Sequence, residues 1–303
     1  IEAKKKFEVA QRYFENKNYK KSQEIWSKIL DHYPENVSVL RNLSLAYFYD
    51  RDLEQAESFL KRIITINKKE PSALTMLILI LEDQDKIEET VKYIEYGLKE
   101  KILGEEWNIK KKLILPAIFK NLKDIERSRD ILNKNINDLL NSKKKISLNI
   151  DYQLIKPVQF NLSYNQHDNL EINKKCVNFY RKIYSELNNL HFIKKNSSSK
   201  IRIGFISEYL ADHTIGKLFK GIILNMDISK FDIFVFHTGK TKKGKIYEDF
   251  IDAEKNKKIK NYILPQDFSE KQKIILETNL DILFYPEIGL SIELYYPSFV
   301  KLA

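Results

Sequence analysis

From its amino end the chain places apolar residues at helical spacing, broken by short polar runs such as Glu15-Asn16-Lys17-Asn18. The pattern recurs every 34 residues. Three consecutive blocks, Ala3–Asn36, Val37–Glu70 and Pro71–Gly104, align without insertions. The eleventh position of each is Tyr13, Tyr47 and Leu81, and the seventeenth is Tyr19, Leu53 and Ile87. The twentieth is Ser22, Ala56 and Thr90, and the twenty-fourth Trp26, Leu60 and Ile94. Pro34 falls near the end of the first block, where a helix should stop. Each block therefore predicts two helices and a polar turn, the twentieth position bringing them close together. Such a hairpin cannot bury its apolar face alone, so the blocks must stack on one another.

From Glu105 to about Leu140 the helical spacing persists but the period is lost. One apolar group is Trp107, Leu113, Leu115, Ile118, Phe119 and Leu122. A second is Ile125, Ile131, Leu132, Ile136, Leu139 and Leu140. Together they predict an atypical, capping pair of helices. Pro157 interrupts the region that follows, a further helix is predicted over Leu170–Leu190, and the polar run Lys194–Lys200 reads as a linker. Beyond it strand and helix alternate. Strands are predicted at Ile201–Ser207, Phe231–His237, Lys260–Leu264 and Asp281–Tyr285, with helices near Lys217–Met226, Gly244–Ala253 and Ser269–Thr278. This order argues for a parallel sheet with helices on its faces, although four strands are few for a complete enzyme domain. The expected division is repeats over 1–104, a helical bridge and linker over 105–199, and an α/β region over 200–303.

Composition narrows the classes. A chain of 303 residues with 43% hydrophobic and 12% aromatic content has material for two or three packed cores. No run approaches the roughly 18 apolar residues that span a bilayer, and no secretory-type start is present. The expected location is the cytoplasm, with no membrane partner. The net charge of +10 comes from lysines spread along the whole chain, without a nucleic-acid motif, and reads as a solvated basic surface. The single cysteine, Cys176, excludes an internal disulfide and a multi-cysteine metal site. In a helical, Lys-rich segment it reads as a packing residue. Without a His-Glu-x-x-His pair, a glycine-rich phosphate loop or a serine elbow, neither a metal nor a cofactor is expected.

The repeating blocks resemble the tetratricopeptide repeat in period and in most key positions. Ala10, Ser44 and Ile78 stand where glycine is usual, and Lys68 where proline is. The resemblance implies an array whose concave face holds an extended peptide or protein; a rigid spacer is the plainer reading. Behind the repeats, Arg202-Ile203-Gly204-Phe205-Ile206-Ser207 resembles the first catalytic strand of the Spindly-type and O-GlcNAc-transferase-type glycosyltransferases. His213 falls on that family's loop histidine, while Tyr209 and Leu210 replace its Asp-Phe pair. The segment from Asp281 to Ala303 resembles a later strand and helix ending in a Leu-Ala motif. In the bridge, Tyr164 is followed by Asn165 and Gln166, with His167 displaced from the family's Tyr-His-Gly-like segment.

What this resemblance implies is an α plus α/β chain: tetratricopeptide-type helical repeats, then the Rossmann-like first lobe of a GT-B glycosyltransferase. The implied activity is protein O-glycosylation, from UDP-N-acetylglucosamine or GDP-fucose to Ser or Thr hydroxyls of a protein held by the repeats. The second lobe, with most of the nucleotide-sugar contacts, is expected beyond Ala303, so this chain alone is expected to turn over little. His213 is the implied catalytic residue, facing the acceptor hydroxyl or the sugar phosphate; a histidine can take a proton from a hydroxyl at neutral pH. Capping of the next helix, or plain solvation, is the alternative for His213. Lys217 is placed to meet leaving-group charge, or is a surface lysine. Gly289 fits a tight turn at a strand end facing the cleft. Glu287 offers an acid or base, or more simply a hydrogen-bond anchor. His32, His191 and His237 have no partner spacing and read as structural or exposed. The rival function is a non-catalytic scaffold for protein partners.

Overall fold

The computed structural model describes residues 2–142, 161–183, 199–238, 243–265 and 267–287. Among these lie twelve helices and a small sheet of four parallel strands. The chain divides into two compact units: the described residues up to Leu139, with 161–165, and those from Leu140 and Gln166 onward.

The first unit opens with three helical hairpins of tetratricopeptide type: α1 (Glu2–Glu15) with α2 (Tyr19–His32), α3 (Val37–Tyr49) with α4 (Leu53–Ile66), and α5 (Pro71–Asp83) with α6 (Ile87–Lys99). The turn is the same each time. Lys17, Arg51 and Asp85, 34 residues apart, take left-handed backbone angles of φ 61°, 69° and 57°. Each ends its helix with a six-residue return bond: Asn18 N–H to Tyr13 O (2.8 Å), Asp52 N–H to Tyr47 O (2.9 Å) and Lys86 N–H to Leu81 O (2.9 Å). The residue that follows starts the second helix. Asn18 and Asp52 cap it by accepting from the N–H groups of Lys21 and Gln55, which a lysine at position 86 cannot do.

Repeat register becomes packing at the eighth, twentieth and twenty-fourth positions, where all nine residues are fully buried. Ala10, Ser44 and Ile78 show that the eighth position tolerates side chains up to isoleucine here. The hydroxyls at the twentieth position stay inside the apolar seam by bonding their own helix: Ser22 to Tyr19 O at 2.7 Å and Thr90 to Lys86 O at 2.9 Å. Charged pairs tie one repeat to the next, as in Lys86–Glu57 (2.7 Å) and Lys61–Glu89 (3.0 Å). The α7 helix (Glu105–Leu113) then covers the last hairpin, with Trp107 against Leu74, Ile78 and Ile94. Its Lys110 reaches Glu82 at 2.6 Å, both side chains buried. Residues 114–121 are not helical: Pro116 disfavours helix at Leu115, and the Asp85 carboxylate accepts the N–H groups of Ala117 (2.7 Å) and Ile118 (3.1 Å). Ile118 and Leu122 are consequently exposed instead of joining the apolar group that spacing suggests, as is Ile131 on α8 (Leu122–Asn141).

In the second unit α9 (Leu170–Ile183) precedes the sheet and buries Cys176, Phe179 and Tyr180. Strand and helix then alternate: β1 (Ile201–Ser207), α10 (Thr214–Leu224), β2 (Phe231–His237), α11 (Lys245–Lys255), β3 (Lys260–Ile263), α12 (Phe268–Glu277) and β4 (Ile282–Phe284). The strands lie in the order β3-β2-β1-β4, all parallel, with β1 and β2 paired from Ile201↔Phe231 to Ser207↔His237. Near-continuous apolar strands suit a sheet covered on both faces. Ile203, Phe205, Ile233 and Val235 pack on Ile223 of α10 and Phe250 of α11. Ile206, Phe234 and Phe236 turn the other way, toward Ile274 and Ile275 of α12. Gly204 in β1 is dictated by packing, since a Cβ there would lie 2.6 Å from Leu280 Cδ1.

Trp26, fully buried between the rings of Phe7 (6.1 Å) and Phe14 (5.8 Å), anchors the first unit. Trp26→Ala is expected to lower that unit's stability to urea by about 3–5 kcal/mol. Exposed Tyr33→Ala should change it by less than about 0.5 kcal/mol.

Candidate functional site

Strands β1, β2 and β3 progress outward on one side of the sheet, and the chain then crosses back to set β4 on the other side of β1. The order therefore reverses between β1 and β4. In open parallel sheets, ligands gather beyond the carboxyl ends of the strands at such a reversal. Two residues meet there across 80 positions of sequence: Ser207, the last residue of β1, and Glu287, just past β4.

Ser207 Oγ donates to Glu287 Oε1 at 2.7 Å, and the same oxygen accepts the Glu208 N–H at 3.3 Å. Ser207 Oγ in turn accepts the Tyr209 N–H at 2.8 Å. Glu287 is only 6% exposed, and its second oxygen, Oε2, has no hydrogen-bond partner among the described residues. Burial pushes its carboxyl up to about 7; the bonds from Ser207 and Glu208 N–H pull the other way without winning, and the Glu208 charge adds to the rise.

The loop that leaves Ser207 is fixed at several points before α10 begins. The Asp212 carboxylate accepts the N–H groups of Lys245 (3.0 Å) and Ile246 (2.9 Å), capping α11 from a distance. Gly244 leaves room for it, since a Cβ there would stand 2.3 Å from Asp212 Oδ2. Gly216 is required in the first turn of α10, where a Cβ would come within 2.0 Å of Ala211 O.

His213 caps α10, its Nδ1 accepting the Ile215 N–H at 3.3 Å, so the helix starts three residues before the predicted Lys217. The half-buried imidazole lies against the Tyr209 ring, centroids 4.4 Å apart. Because Nδ1 accepts, the proton of the neutral ring belongs on Nε2, which makes that nitrogen a donor. Lys217 is exposed on the first turn of α10, and Gly289 lies outside the described residues. Tyr164 and His167 are both exposed.

Next to Ser207 in the sheet stands His237, 1% exposed, its Nε2 3.3 Å from Asn261 Oδ1. Asn261 Nδ2 donates to Phe250 O at 2.8 Å, so the amide turns its oxygen to the ring and His237 Nε2 donates. Its Nδ1 has no partner among the described residues, and burial pushes the imidazole down to about 4. Thr238 Oγ1 is likewise buried without a partner among the described residues. Local sequence spacing carried no sign of the Ser207–Glu287 pair or of Asp212's role, because their partners lie on distant elements. Gly216, in the first turn of a helix, is a local signal of close approach.

Elsewhere, an open groove of about 750 Å³ runs along α4, where Glu35, Glu54 and Glu57 balance Lys61, Arg62 and Lys86. Among the described residues there is no cluster of His, Cys, Asp and Glu that could hold a metal ion. No described helix is long and apolar enough to cross a membrane.

No family profile matches the chain, and no curated protein matches it. Among solved structures it is similar to a mutant of the Thermobaculum terrenum O-GlcNAc transferase, at 13% identity and a TM-score of 0.48, over 98% of this chain. The chain spans about half of that protein, 48% of its length. It is also similar to the first TPR of Spaghetti (RPAP3) bound to an HSP90 peptide, at 20% identity and a TM-score of 0.30, over 44% of this chain and 91% of that one. A third similar structure is the Sgt2 TPR domain from Aspergillus fumigatus, at 16% identity and a TM-score of 0.31, covering 50% and 89% of the two chains.

Glu287 and His237 tilt stability in opposite directions. The raised carboxyl of Glu287 adds stability that is complete below pH 4.5 and is lost as pH climbs through about 7. The depressed imidazole of His237 adds stability that is complete above pH 6.5 and is lost as pH falls through about 4. Between pH 4.5 and 6.5 the two slopes offset, and the second unit should show a nearly flat urea-stability profile. Glu287→Gln should expose a rise with pH of up to about 3 kcal/mol, and His237→Gln a fall of similar size.

Proposed function

We propose that this chain is the acceptor-presenting and first-lobe portion of a protein O-glycosyltransferase. The observation that carries the proposal is the ordered pairing of in-register helical hairpins with a parallel sheet whose strand-order reversal bears the His213 loop. In this reading 1–104 present the acceptor polypeptide, 105–199 bridge, and 200–303 form a Rossmann-like lobe of a GT-B unit. The donor is UDP-N-acetylglucosamine, with GDP-fucose as the variant, and the setting is cytoplasmic.

The acceptor Ser or Thr oxygen displaces the nucleoside diphosphate from the anomeric carbon of the sugar, and the hydroxyl proton passes to the departing diphosphate. His213 presents Nε2–H toward the cleft, which suits it to donate to a sugar-phosphate oxygen as negative charge builds there. That role is narrower than the general base allowed by sequence, because a base would need a lone pair on Nε2. Lys217, one turn further on, adds positive charge for the departing diphosphate.

The scaffold reading shares the peptide-binding half and is favoured by one observation: His213 already has structural employment as the cap of α10. Asparagine caps helices well but cannot reproduce an imidazole Nε2–H. In the protein expressed from its whole reading frame, with UDP-N-acetylglucosamine or GDP-fucose and a Ser/Thr peptide library, His213→Asn should keep its melting temperature and lose about 100-fold in kcat. Absence of transfer from either donor, or transfer indifferent to His213→Asn, would contradict the proposal.

A further inference from the structure

We infer that Glu287 is a positioning residue whose ionisation latches or releases the loop carrying His213. The inference rests on the reading of that loop as the cleft edge for its functional consequence, though not for its physical basis.

Glu287 holds the loop at its root. Its Oε1 takes the Ser207 hydroxyl and the Glu208 N–H, and the Ser207 oxygen then takes the Tyr209 N–H. The ring of Tyr209 backs His213. From Glu287 to the imidazole the path is short and made of direct contacts. At its far end the loop is tied to α11 through Asp212 and pressed on α10 at Gly216. Glu287 is thus the ionisable tie at the root of the loop, while the exposed Asp212 carboxylate and the contact at Gly216 hold its far end.

A neutral carboxyl fits this pocket. An ionised one leaves Oε2 with charge and no donor among the described residues, in a place shielded from water. The described groups around it offer no relief. Glu208 on the loop repels the charge, Ser207 is neutral, and His237, neighbour to Ser207 on β2, is held neutral by its own burial. The only release for the ionised form is to open the loop root to water. Linkage gives the sign: opening that restores an ordinary carboxyl becomes easier as pH rises from 4.5 through about 7. The loop is latched in mild acid and loosened in mild base. In the glycosyltransferase reading this grades how firmly the imidazole is aimed.

Amide hydrogen exchange of this chain, corrected for intrinsic rates and free of any sugar, tests the latch. Protection of the Tyr209 and Ile215 N–H groups should fall about tenfold between pH 6 and 8, the change expected for a carboxyl moving from about 7 when closed to 4.5 when open. Glu287→Gln, neutral and of equal size, should keep the low-pH protection at both pH values. Ser207→Ala, which cuts the tie but leaves the carboxyl, should lower Tyr209 protection already at pH 6. Equal pH dependence in wild type and Glu287→Gln would overturn the inference. If Glu287→Gln fails to fold, unchanged Tyr209 protection in Ser207→Ala would do the same. A latch that works in a protein with no transfer activity would overturn the glycosyltransferase reading alone.

Discussion

The hydrogen bond from Ser207 to Glu287 joins the ends of β1 and β4 at the point where the strand order reverses. A parallel sheet must leave a cleft there, because the connections to either side run away from each other. Closing the base of that cleft with a buried carboxyl rather than an apolar side chain is costly unless the group is paired. Glu287 is paired on one oxygen only. That half-satisfied group holds the root of the His213 loop and, together with the buried His237, sets how the unit's stability responds to pH.

The repeats face a different constraint and solve it with repetition. Each hairpin buries the same three positions, and each turn spends one left-handed residue to reverse direction. None of those residues is glycine, so the strain of the turn is held by the stacking around it. Asp85 shows how one position can serve twice: its backbone reverses the third hairpin while its carboxylate shapes the segment after α7.

Much of this architecture was legible in the sequence because periodicity is a local signal. The 34-residue register carried through to burial at Trp26, Leu60 and Ile94, and β1 and β2 begin and end at the predicted residues. What periodicity does not encode is pairing across distance. Glu287 and Ser207 are 80 positions apart, and Asp212 caps a helix that starts more than thirty residues later. The early start of α10 was hidden for a local reason: Thr214, Ile215 and Gly216 are poor helix formers, and only His213 as cap and the contact at Gly216 make them helical. Ile118 and Leu122 fail as core residues in a segment where Pro116 stops the helix and a distant carboxylate, invisible to a hydrophobic pattern, holds the backbone.

The account stands on where the His213 loop meets a ligand. The most direct measurement is a crystal structure of the whole protein with UDP-N-acetylglucosamine and an acceptor peptide. The account expects a sugar-phosphate oxygen at about 3 Å from His213 Nε2, with Nδ1 still capping α10. A nucleotide bound away from the β1–β4 reversal, or an imidazole that keeps its cap while facing only solvent, would contradict it.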